Sequence, residues 1–150
     1  MSNKYTLYGS ALSLYTGKAR AYLINKRLPF EEVFSSLKVY KNIITPHTGV
    51  RFIPVLKTPQ EEYIQDTTVI IDTMEKRHPE NPLVPSSPKQ KLVSKLFEIW
   101  ADEWLLIPAM HYRWNKDNFP FIYEEFGRVV TPRMPAFIRA FVGKKIGSKV

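Results

Sequence analysis

Asp66 and Thr67 stand where a helical pattern opens after two short apolar runs, and both side chains suit the start of a helix. Aspartate and threonine are preferred N-cap residues, because a side-chain oxygen accepts hydrogen bonds from N–H groups that have no partner within the helix. The same N–H groups attract anions. The pair therefore predicts either a simple helix cap or part of a site for a charged ligand, and capping alone would explain both residues.

Cysteine is absent from the 150 residues, and the three histidines, His47, His78 and His111, lie far apart in the sequence. The chain therefore has no thiol nucleophile, no disulfide framework and no cysteine–histidine metal site of its own. Dithiol redox chemistry is excluded. The histidines show no metal-binding spacing, so we expect no metal.

Residues 51–77 predict the elements that position the Asp66-Thr67 pair. An apolar run at 52–56 contains Pro54, turn-forming residues follow at 58–60, and a second short run comes at 63–64. Runs of this length around a polar turn are typical of an antiparallel hairpin. A proline cannot donate to a sheet ladder, so Pro54 belongs at the start, the edge or a bulge of its strand.

The first part of the chain predicts a strand, a helix, a second strand and a less regular helical stretch. They lie at 4–8, 13–25, 30–34 and about 36–44. Lys18 and Lys26 should remain in solvent on the outer face of the helix. A strand–helix–strand crossover implies a parallel pair, and the hairpin adds antiparallel strands. The predicted fold is therefore α/β, in the order β-α-β-α-β-β-α, with a mixed four-stranded sheet and helices on both faces.

Two stretches resemble the core of the N-terminal domain of the glutathione transferase (glutathione S-transferase) family. Ile53-Pro54-Val55-Leu56 is similar to that family's V-P-V-L, and Asp66-Thr67-Thr68-Val69-Ile70 is similar to its E/D-S-x-x-I. The resemblance implies a thioredoxin-like fold with a cis proline at Pro54. It also implies that the backbone of Ile53 pairs with the cysteinyl part of glutathione. In the same way, Asp66 and Thr67 would hold the γ-glutamyl end.

A second motif lies at the start of the first helix. Ser13-Leu14-Tyr15-Thr16-Gly17-Lys18-Ala19-Arg20 resembles the S-P-x-x-x-K-x-R of the family's serine-type branch, with Leu14 in place of proline. The resemblance implies that Ser13 stabilises the thiolate of glutathione. A hydroxyl donor and the positive end of a helix both favour a thiolate over a thiol that titrates at about 8.5. Three alternatives stay open: Ser13 is only a helix cap, Ser10 is the donor, or Tyr8 is the donor, as in the tyrosine-type branch.

Residues 45–49, Thr-Pro-His-Thr-Gly, resemble the N-P-x-G-like turn that precedes the proline strand in the family, although the turn here is longer. Family members often use a basic side chain near this turn for the glycyl carboxylate of glutathione. The resemblance therefore implies Lys41 or His47 for that role. A lysine in solvent is the simpler interpretation of Lys41.

The second half of the chain predicts a proline-rich linker and then helices. Residues 78–88 contain four prolines, so we expect a thioredoxin-like domain at 1–78, a linker at 79–87 and a helical domain at 88–150. Ser87 and Pro88 predict the start of a long helix that Pro108 should kink or end. The expected buried face of this helix is formed by Leu92, Leu96, Ile99, Trp100, Trp104 and Ile107.

The remaining residues predict an aromatic loop at 119–126 and a last amphipathic helix that opens at Thr131-Pro132. Gly143, Lys144, Lys145 and Gly147 are typical of the C-terminal end of such a helix. In the family, apolar side chains of this region line the electrophile site, although aromatics at helical spacing are more often core. The candidates are Trp104, Met110, Tyr112 and Trp114. Asp102 resembles in placement a family aspartate that reaches a partner subunit's ligand. This helical domain is shorter than the family's usual set, so we expect a fragment or a shortened form.

Net charge and hydrophobicity restrict the kinds of partner that the chain is expected to bind. The net charge is +8, but the lysines and arginines are scattered, so specific nucleic-acid binding is not expected. No stretch approaches the ~20 apolar residues that span a bilayer, and the N-terminus lacks a signal-peptide pattern. We therefore expect a cytoplasmic protein without membrane contact.

The favoured function is an enzyme that conjugates or reduces apolar electrophiles with the thiolate of glutathione. It would work as a homodimer in detoxification. The alternative is a non-catalytic, transferase-like module for protein interaction. Leu14, the basic charge and the short helical domain favour that alternative.

Overall fold

The computed structural model describes residues 4–147, which form two compact units: one ends at Glu98 and the other begins at Ile99. The strands of the first unit are β1 (Tyr5–Gly9), β2 (Phe30–Phe34), β3 (Val55–Lys57) and β4 (Tyr63–Gln65). Its helices are α1 (Leu14–Asn25), α2 (Leu37–Val39), α3 (Thr45–Thr48), α4 (Thr67–Arg77) and nearly all of α5 (Pro88–Ile99), with a π-helical turn at Tyr40–Ile44. The second unit contains a π-helical turn (Trp100–Trp104), α6 (Leu106–Arg113), a 3-10 turn (Lys116–Asn118), α7 (Phe119–Val130) and α8 (Ala136–Gly147).

The sheet is mixed and has the strand order β2-β1-β3-β4. β1 is parallel to β2, with Tyr5 opposite Phe30. β1 is antiparallel to β3, and β3 is antiparallel to β4. The predicted crossover and hairpin, and the predicted element order of this part of the chain, are confirmed.

Each face of the sheet carries an apolar cluster, because successive side chains of a strand point to opposite faces. One cluster lies under α1 and α4 and contains Leu7, Leu23, Leu56, Ile70 and Met74, which are fully buried. The other contains Tyr8, Ile44 and Val55 and lies under the segment from α2 to α3. Helices therefore cover both faces, as predicted.

The expectation that Lys26 stays in solvent is wrong. Its side chain is 1% exposed, and its ammonium lies 2.9 Å from a carboxylate oxygen of Glu75 in α4 and 2.7 Å from the carbonyl oxygen of Asn81. Glu75 also accepts hydrogen bonds from the Tyr22 hydroxyl and from the amide of Leu83. This polar cluster joins α1 and α4 to the proline-rich segment that follows α4. Helical periodicity alone could not reveal it, because the covering groups are distant in sequence.

Helix α5 begins at Pro88, as predicted, but the expected buried face is wrong. The six apolar side chains predicted for that face are between 49% and 65% exposed. They lie in α5 (Leu92, Leu96, Ile99), in the π-helical turn (Trp100, Trp104) and in α6 (Ile107). The spacing identifies an apolar face, but burial also needs a second element to cover that face, which helical spacing does not show. Pro108 lies in the first turn of α6, where a missing N–H is tolerated.

Most of the candidate pocket or core side chains of the second unit are exposed and not buried as core residues would be. Trp104 and Tyr112 are 65% and 67% exposed, and Met110 is 36% exposed. Trp114 packs against Phe126, with ring centroids 5.4 Å apart. Tyr112 lies edge-on to the ring of its neighbour His111, with centroids 5.5 Å apart.

Residues 119–126 belong to helix α7 and not to a loop. Pro120 occupies its first turn, where proline is compatible with a helix. Helix α8 begins at Ala136, after Pro132 and Pro135, and not at Thr131. It continues through Gly143 to Gly147, so its last residue is one of the four expected at its C-terminal end.

Glycines allow α7 and α8 to approach each other closely. A Cβ atom on Gly127 would lie 1.8 Å from the carbonyl oxygen of Arg139, and one on Gly143 would lie 1.6 Å from that of Tyr123. An ion pair between Arg139 and Glu124, at 2.6 Å, joins the same two helices. Among the described helices, none is both long and apolar enough to cross a membrane.

Candidate functional site

The strand registers bring three separate segments to one end of the sheet. Tyr8 of β1 is opposite Val55 of β3, and Val55 is opposite Gln65 of β4. Because β3 runs antiparallel to both neighbours, the end of β1, the start of β3 and the end of β4 meet at this edge. Helices α1 and α4 follow β1 and β4 after short connections, so both helix N-termini lie there too.

Asp66 is the N-cap of α4. Its Oδ1 accepts hydrogen bonds from the amide of Thr68 at 2.8 Å and from the amide of Val69 at 3.3 Å. The side chain is exposed, and Oδ2 has no partner within the described chain. Capping and ligand binding can therefore use different oxygens of the same carboxylate.

The backbone of Asp66 has φ +78° and ψ +133°, a combination that residues with a side chain rarely adopt. Such a conformation costs about 1–3 kcal/mol and persists where the surrounding structure holds it, often at functional sites. Aspartate tolerates positive φ better than most residues, because its short polar side chain can bond locally. The strain is therefore located at the residue that caps α4.

Two backbone amides at this end of the sheet have no hydrogen-bond acceptor among the described residues. Thr67, the first residue of α4, is 4% exposed, and its amide has no acceptor within residues 4–147. The amide of Ile53 also lacks an acceptor in the described part of the chain. The peptide bond between Ile53 and Pro54 is cis, and Pro54 is buried directly before β3.

Two serine hydroxyls lie in the turn between β1 and α1. Ser13 caps α1, and its Oγ accepts a hydrogen bond from the Thr16 amide at 3.1 Å. Ser10 accepts one from the Leu12 amide at 3.3 Å, and its carbonyl accepts one from the Ser13 amide. A serine hydroxyl can accept and donate at once, so each retains a proton for a ligand.

Tyr8 lies on the other face of the sheet. Its ring packs with Ile44 and Val55 and stacks on Tyr63, with centroids 6.4 Å apart. Burial raises the pKa of Tyr8. The structure therefore places the Tyr8 side chain in the cluster under α2 and α3, on the face opposite α1.

The two basic candidates lie along the same opposite face. Lys41 is exposed in the π-helical turn, and no described residue forms an ion pair or hydrogen bond with its side chain. His47 places Nδ1 2.7 Å from the carbonyl oxygen of Ile43, and its ring stacks on Tyr63 at 3.9 Å. The contacts of these two residues do not join them to Ser13 or Asp66.

A model of the glutathione S-transferase N-terminal domain matches residues 7–82, about half of the chain. The chain belongs to the glutathione S-transferase family. The matched range contains all of the site residues described above, and the thioredoxin-like fold implied by the sequence is confirmed.

Solved structures of glutathione S-transferases share this fold. One from Methylobacterium radiotolerans, in complex with glutathione sulfonate, is 23% identical, with 97% of this chain and 63% of that chain covered and a TM-score of 0.62. A Tau class enzyme from the mango Mangifera indica is 17% identical, with 96% and 79% covered and a TM-score of 0.62. One from Ceriporiopsis subvermispora, in complex with glutathione, is 20% identical, with 99% and 63% covered and a TM-score of 0.60.

At identities this low, the structural similarity shows that the chain shares its fold with these transferases. The chain spans less than two thirds of the length of the Methylobacterium and Ceriporiopsis transferases. No curated protein sequence matches it.

Gly9 is a site-forming residue of this transferase-family chain that the sequence did not single out. It ends β1, and a Cβ atom there would lie 2.2 Å from Cγ2 and 2.8 Å from Oγ1 of Thr16. Thr16 is fully buried in the first turn of α1. The missing side chain therefore lets the turn that carries Ser13 pack directly on the strand end. The signal available in the sequence was a glycine directly after the strand predicted at 4–8.

Gly9→Ala is expected to destabilise the fold by about 1–3 kcal/mol, because the methyl group overlaps a buried side chain. Thermal unfolding followed by circular dichroism measures the loss. Adding Thr16→Ala removes both overlapping atoms and leaves Cβ of residue 16 at 3.1 Å, so the double variant should recover part of the stability. If Gly9→Ala unfolds at the wild-type temperature, the close approach does not restrict this position.

The polar groups at this end of the transferase fold are two hydroxyls, one carboxylate and backbone amides. They can accept from an ammonium group, donate to a carboxylate and donate to a thiolate. Within residues 4–147, no three His, Asp or Glu side chains are grouped so that they could hold a metal ion.

Proposed function

We propose that the chain binds glutathione at this end of the sheet and delivers its thiolate to an apolar electrophile, by conjugation or reduction. The observation that carries the proposal is the meeting of two helix N-termini, two serine hydroxyls and the Asp66 carboxylate beside the Ile53–Pro54 bond. Glutathione carries the complementary groups: an ammonium, two carboxylates and a thiol. Helix N-termini favour negative charge, which suits both a carboxylate and a thiolate.

The proposed contacts follow from the unpaired groups. Asp66 Oδ2 accepts from the γ-glutamyl ammonium, while the amide of Thr67 donates to the neighbouring carboxylate. The backbone of Ile53 pairs with the cysteinyl residue. Lys41 and His47 are the candidates for the glycyl carboxylate, since both are exposed. Charge-assisted hydrogen bonds of these kinds are stronger than neutral ones.

The proposed chemical step is nucleophilic. The glutathione thiol releases its proton to solvent, and the Ser13 hydroxyl donates to the resulting thiolate at the positive end of α1. The thiolate then attacks the electrophilic carbon, a C–S bond forms, and the electron pair leaves with the departing group. Two of the similar structures hold glutathione or glutathione sulfonate, which supports this choice of ligand.

Ser13→Ala is expected to raise the pKa of the bound thiol by about 1–2 units, the equivalent of losing one hydrogen bond to a charged group. The ultraviolet absorbance of the thiolate, followed against pH, measures this shift. Ser13→Asp is a matched variant, because aspartate retains the helix cap while its charge opposes the thiolate. It should raise the pKa of the thiol further in a folded protein.

Ser10→Ala distinguishes the two hydroxyls. We expect it to leave the titration of the bound thiol unchanged. A raised thiol pKa in Ser10→Ala, with no change in Ser13→Ala, would transfer the role to Ser10.

Exposed aromatic side chains in the second unit favour the second candidate, a protein-interaction module. Phe137 and Phe141, one helical turn apart in α8, are 74% and 72% exposed. Light scattering shows whether the chain is the proposed homodimer. A folded chain that binds no glutathione would leave the interaction module as the better account.

A further inference from the structure

Glu98, the last residue of the first unit, connects three helices of that unit. Its Oε1 accepts a hydrogen bond from the ammonium of Lys18 in α1 at 2.8 Å and from the hydroxyl of Thr68 in α4 at 3.1 Å. Its Oε2 accepts from Lys95 of its own helix, α5, at 2.8 Å. This cluster could not be predicted from sequence patterns, because its members are up to 80 residues apart.

The cluster is partly withdrawn from solvent, which distinguishes it from an ordinary surface ion pair. The side chain of Glu98 is 18% exposed and that of Lys18 is 23% exposed. Burial acts to raise the pKa of Glu98, but hydrogen bonds from Lys18 and Lys95 outweigh it and lower the pKa to about 2. The carboxylate is therefore charged at any pH near neutrality.

Two of the three partners of Glu98 lie near the starts of the two helices that form the candidate site. Lys18 is five residues after the cap Ser13 in α1. Thr68 is the second residue of α4, next to Thr67, and its amide donates to Asp66 while its hydroxyl donates to Glu98. A single carboxylate thus restrains both helix starts, and it reaches the Asp66 cap through Thr68.

We propose that Glu98 is a positioning residue for glutathione binding, which holds the starts of α1 and α4 in the relative arrangement that the ligand requires. The inference rests on the proposed function. It assigns no direct contact between Glu98 and glutathione. Without the carboxylate, the first turn of α4 loses its bond to α5, and its link to α1 through Glu98 is broken. The donors and acceptors at the site then lose their alignment.

A double-mutant cycle tests the inference in the full chain. Glu98→Gln removes the charge, and Thr68→Val removes only the hydroxyl bond while it preserves the shape of the side chain. Each single variant should weaken glutathione binding about tenfold in calorimetric titration near neutral pH, and the double variant should bind no more weakly than Glu98→Gln, because both changes break one link. If the two changes weakened glutathione binding independently, the losses in the single variants would add in the double variant.

Glu62→Gln is the matched control, because Glu62 pairs with Arg77 at the other end of α4, at 2.6 Å. It should leave glutathione affinity unchanged. If Glu98→Gln does not fold, the glutathione affinity of Thr68→Val alone decides whether Glu98 is a positioning residue. We expect that affinity to be weakened. Wild-type binding together with undiminished affinity in Thr68→Val would overturn the positioning role and leave the proposed function intact. A folded wild-type chain that does not bind glutathione would overturn both.

Discussion

Replacing Glu75 by glutamine is expected to lower the free energy of unfolding by about 3–5 kcal/mol, the range found when one partner of a buried ion pair is removed. The buried side chain of Lys26, only 1% exposed, would lose the carboxylate that lies 2.9 Å from its ammonium. The Glu75 oxygens also accept from the Tyr22 hydroxyl at 2.8 Å and from the Leu83 amide at 3.2 Å. Glutamine would turn an NH₂ group toward one of these donors. Chemical denaturation measures the loss.

Two variants separate the buried pair from general effects of removing a charge. Glu62→Gln removes a carboxylate from an exposed pair with Arg77, and it should cost less than about 1 kcal/mol. The double variant Lys26→Met with Glu75→Leu leaves neither charge buried, so it should recover most of the lost stability. A Glu75→Gln protein as stable as Glu62→Gln would show that the cluster does not anchor the segment after α4.

The same cluster predicts how stability depends on pH. Burial acts to raise the pKa of Glu75, but hydrogen bonds from Lys26, Tyr22 and two backbone amides outweigh it, so the pKa is lowered. A carboxylate with a lowered pKa stabilises the fold above its unfolded pKa, and this contribution is lost as the pH falls through the folded pKa. Wild-type stability should therefore decrease below about pH 4.5, whereas Glu75→Gln should show a flatter profile over this range.

Asp66→Asn is expected to weaken glutathione binding by about 10- to 100-fold, because one charge-assisted hydrogen bond contributes about 1.5–3 kcal/mol. Asparagine keeps an oxygen in the place of Oδ1 that can accept from the Thr68 and Val69 amides. It also tolerates the positive φ of this position. The variant should therefore fold normally and lack only the negative charge for the ligand's ammonium.

Asp72→Asn provides the comparison within the same helix. Asp72 is 51% exposed and lies 3.5 Å from Lys95, away from the cap of α4. Its replacement should change neither glutathione affinity nor the unfolding temperature appreciably. Equal affinity in wild type and a folded Asp66→Asn protein would remove Asp66 from the proposed site.

The fold of the first unit could be predicted because its signals are local. The turn residues after β3, the position of Pro54 and the Asp66 cap each depend on neighbouring residues. The alternation of apolar and polar residues along the strands indicated which side chains share a face of the sheet. These features determined the β-α-β-α-β-β-α order. The resemblance to the family then indicated at which ends of the strands the ligand site should lie.

The groups that anchor the segment after α4 and those that fix the geometry of the site were not predictable, because they depend on contacts between distant residues. Lys26 has an ordinary outer-face position in α1, and only Glu75 and Asn81 explain its burial. Gly9 is required by the approach of Thr16. Glu98 looks like a solvent-facing carboxylate until Lys18 and Thr68 are placed beside it.

The second half of the chain was predicted less well, for a different physical reason. Periodicity showed that α5 has an apolar face, but it could not show whether anything covers that face. Aromatic residues near Pro120 suggested a loop, although proline in a first turn starts helix α7 without strain. Gly143 resembled a helix end, whereas it serves the close contact with Tyr123.

Calorimetric titration of the folded full chain with reduced glutathione, near neutral pH, decides whether the chain binds glutathione. We expect saturable binding of one glutathione per chain, which Asp66→Asn weakens at least about tenfold while circular dichroism shows an unchanged fold. No binding up to about 10 mM glutathione by a chain with the expected helix and strand content would contradict the claim, since it corresponds to less than about 3 kcal/mol of binding free energy.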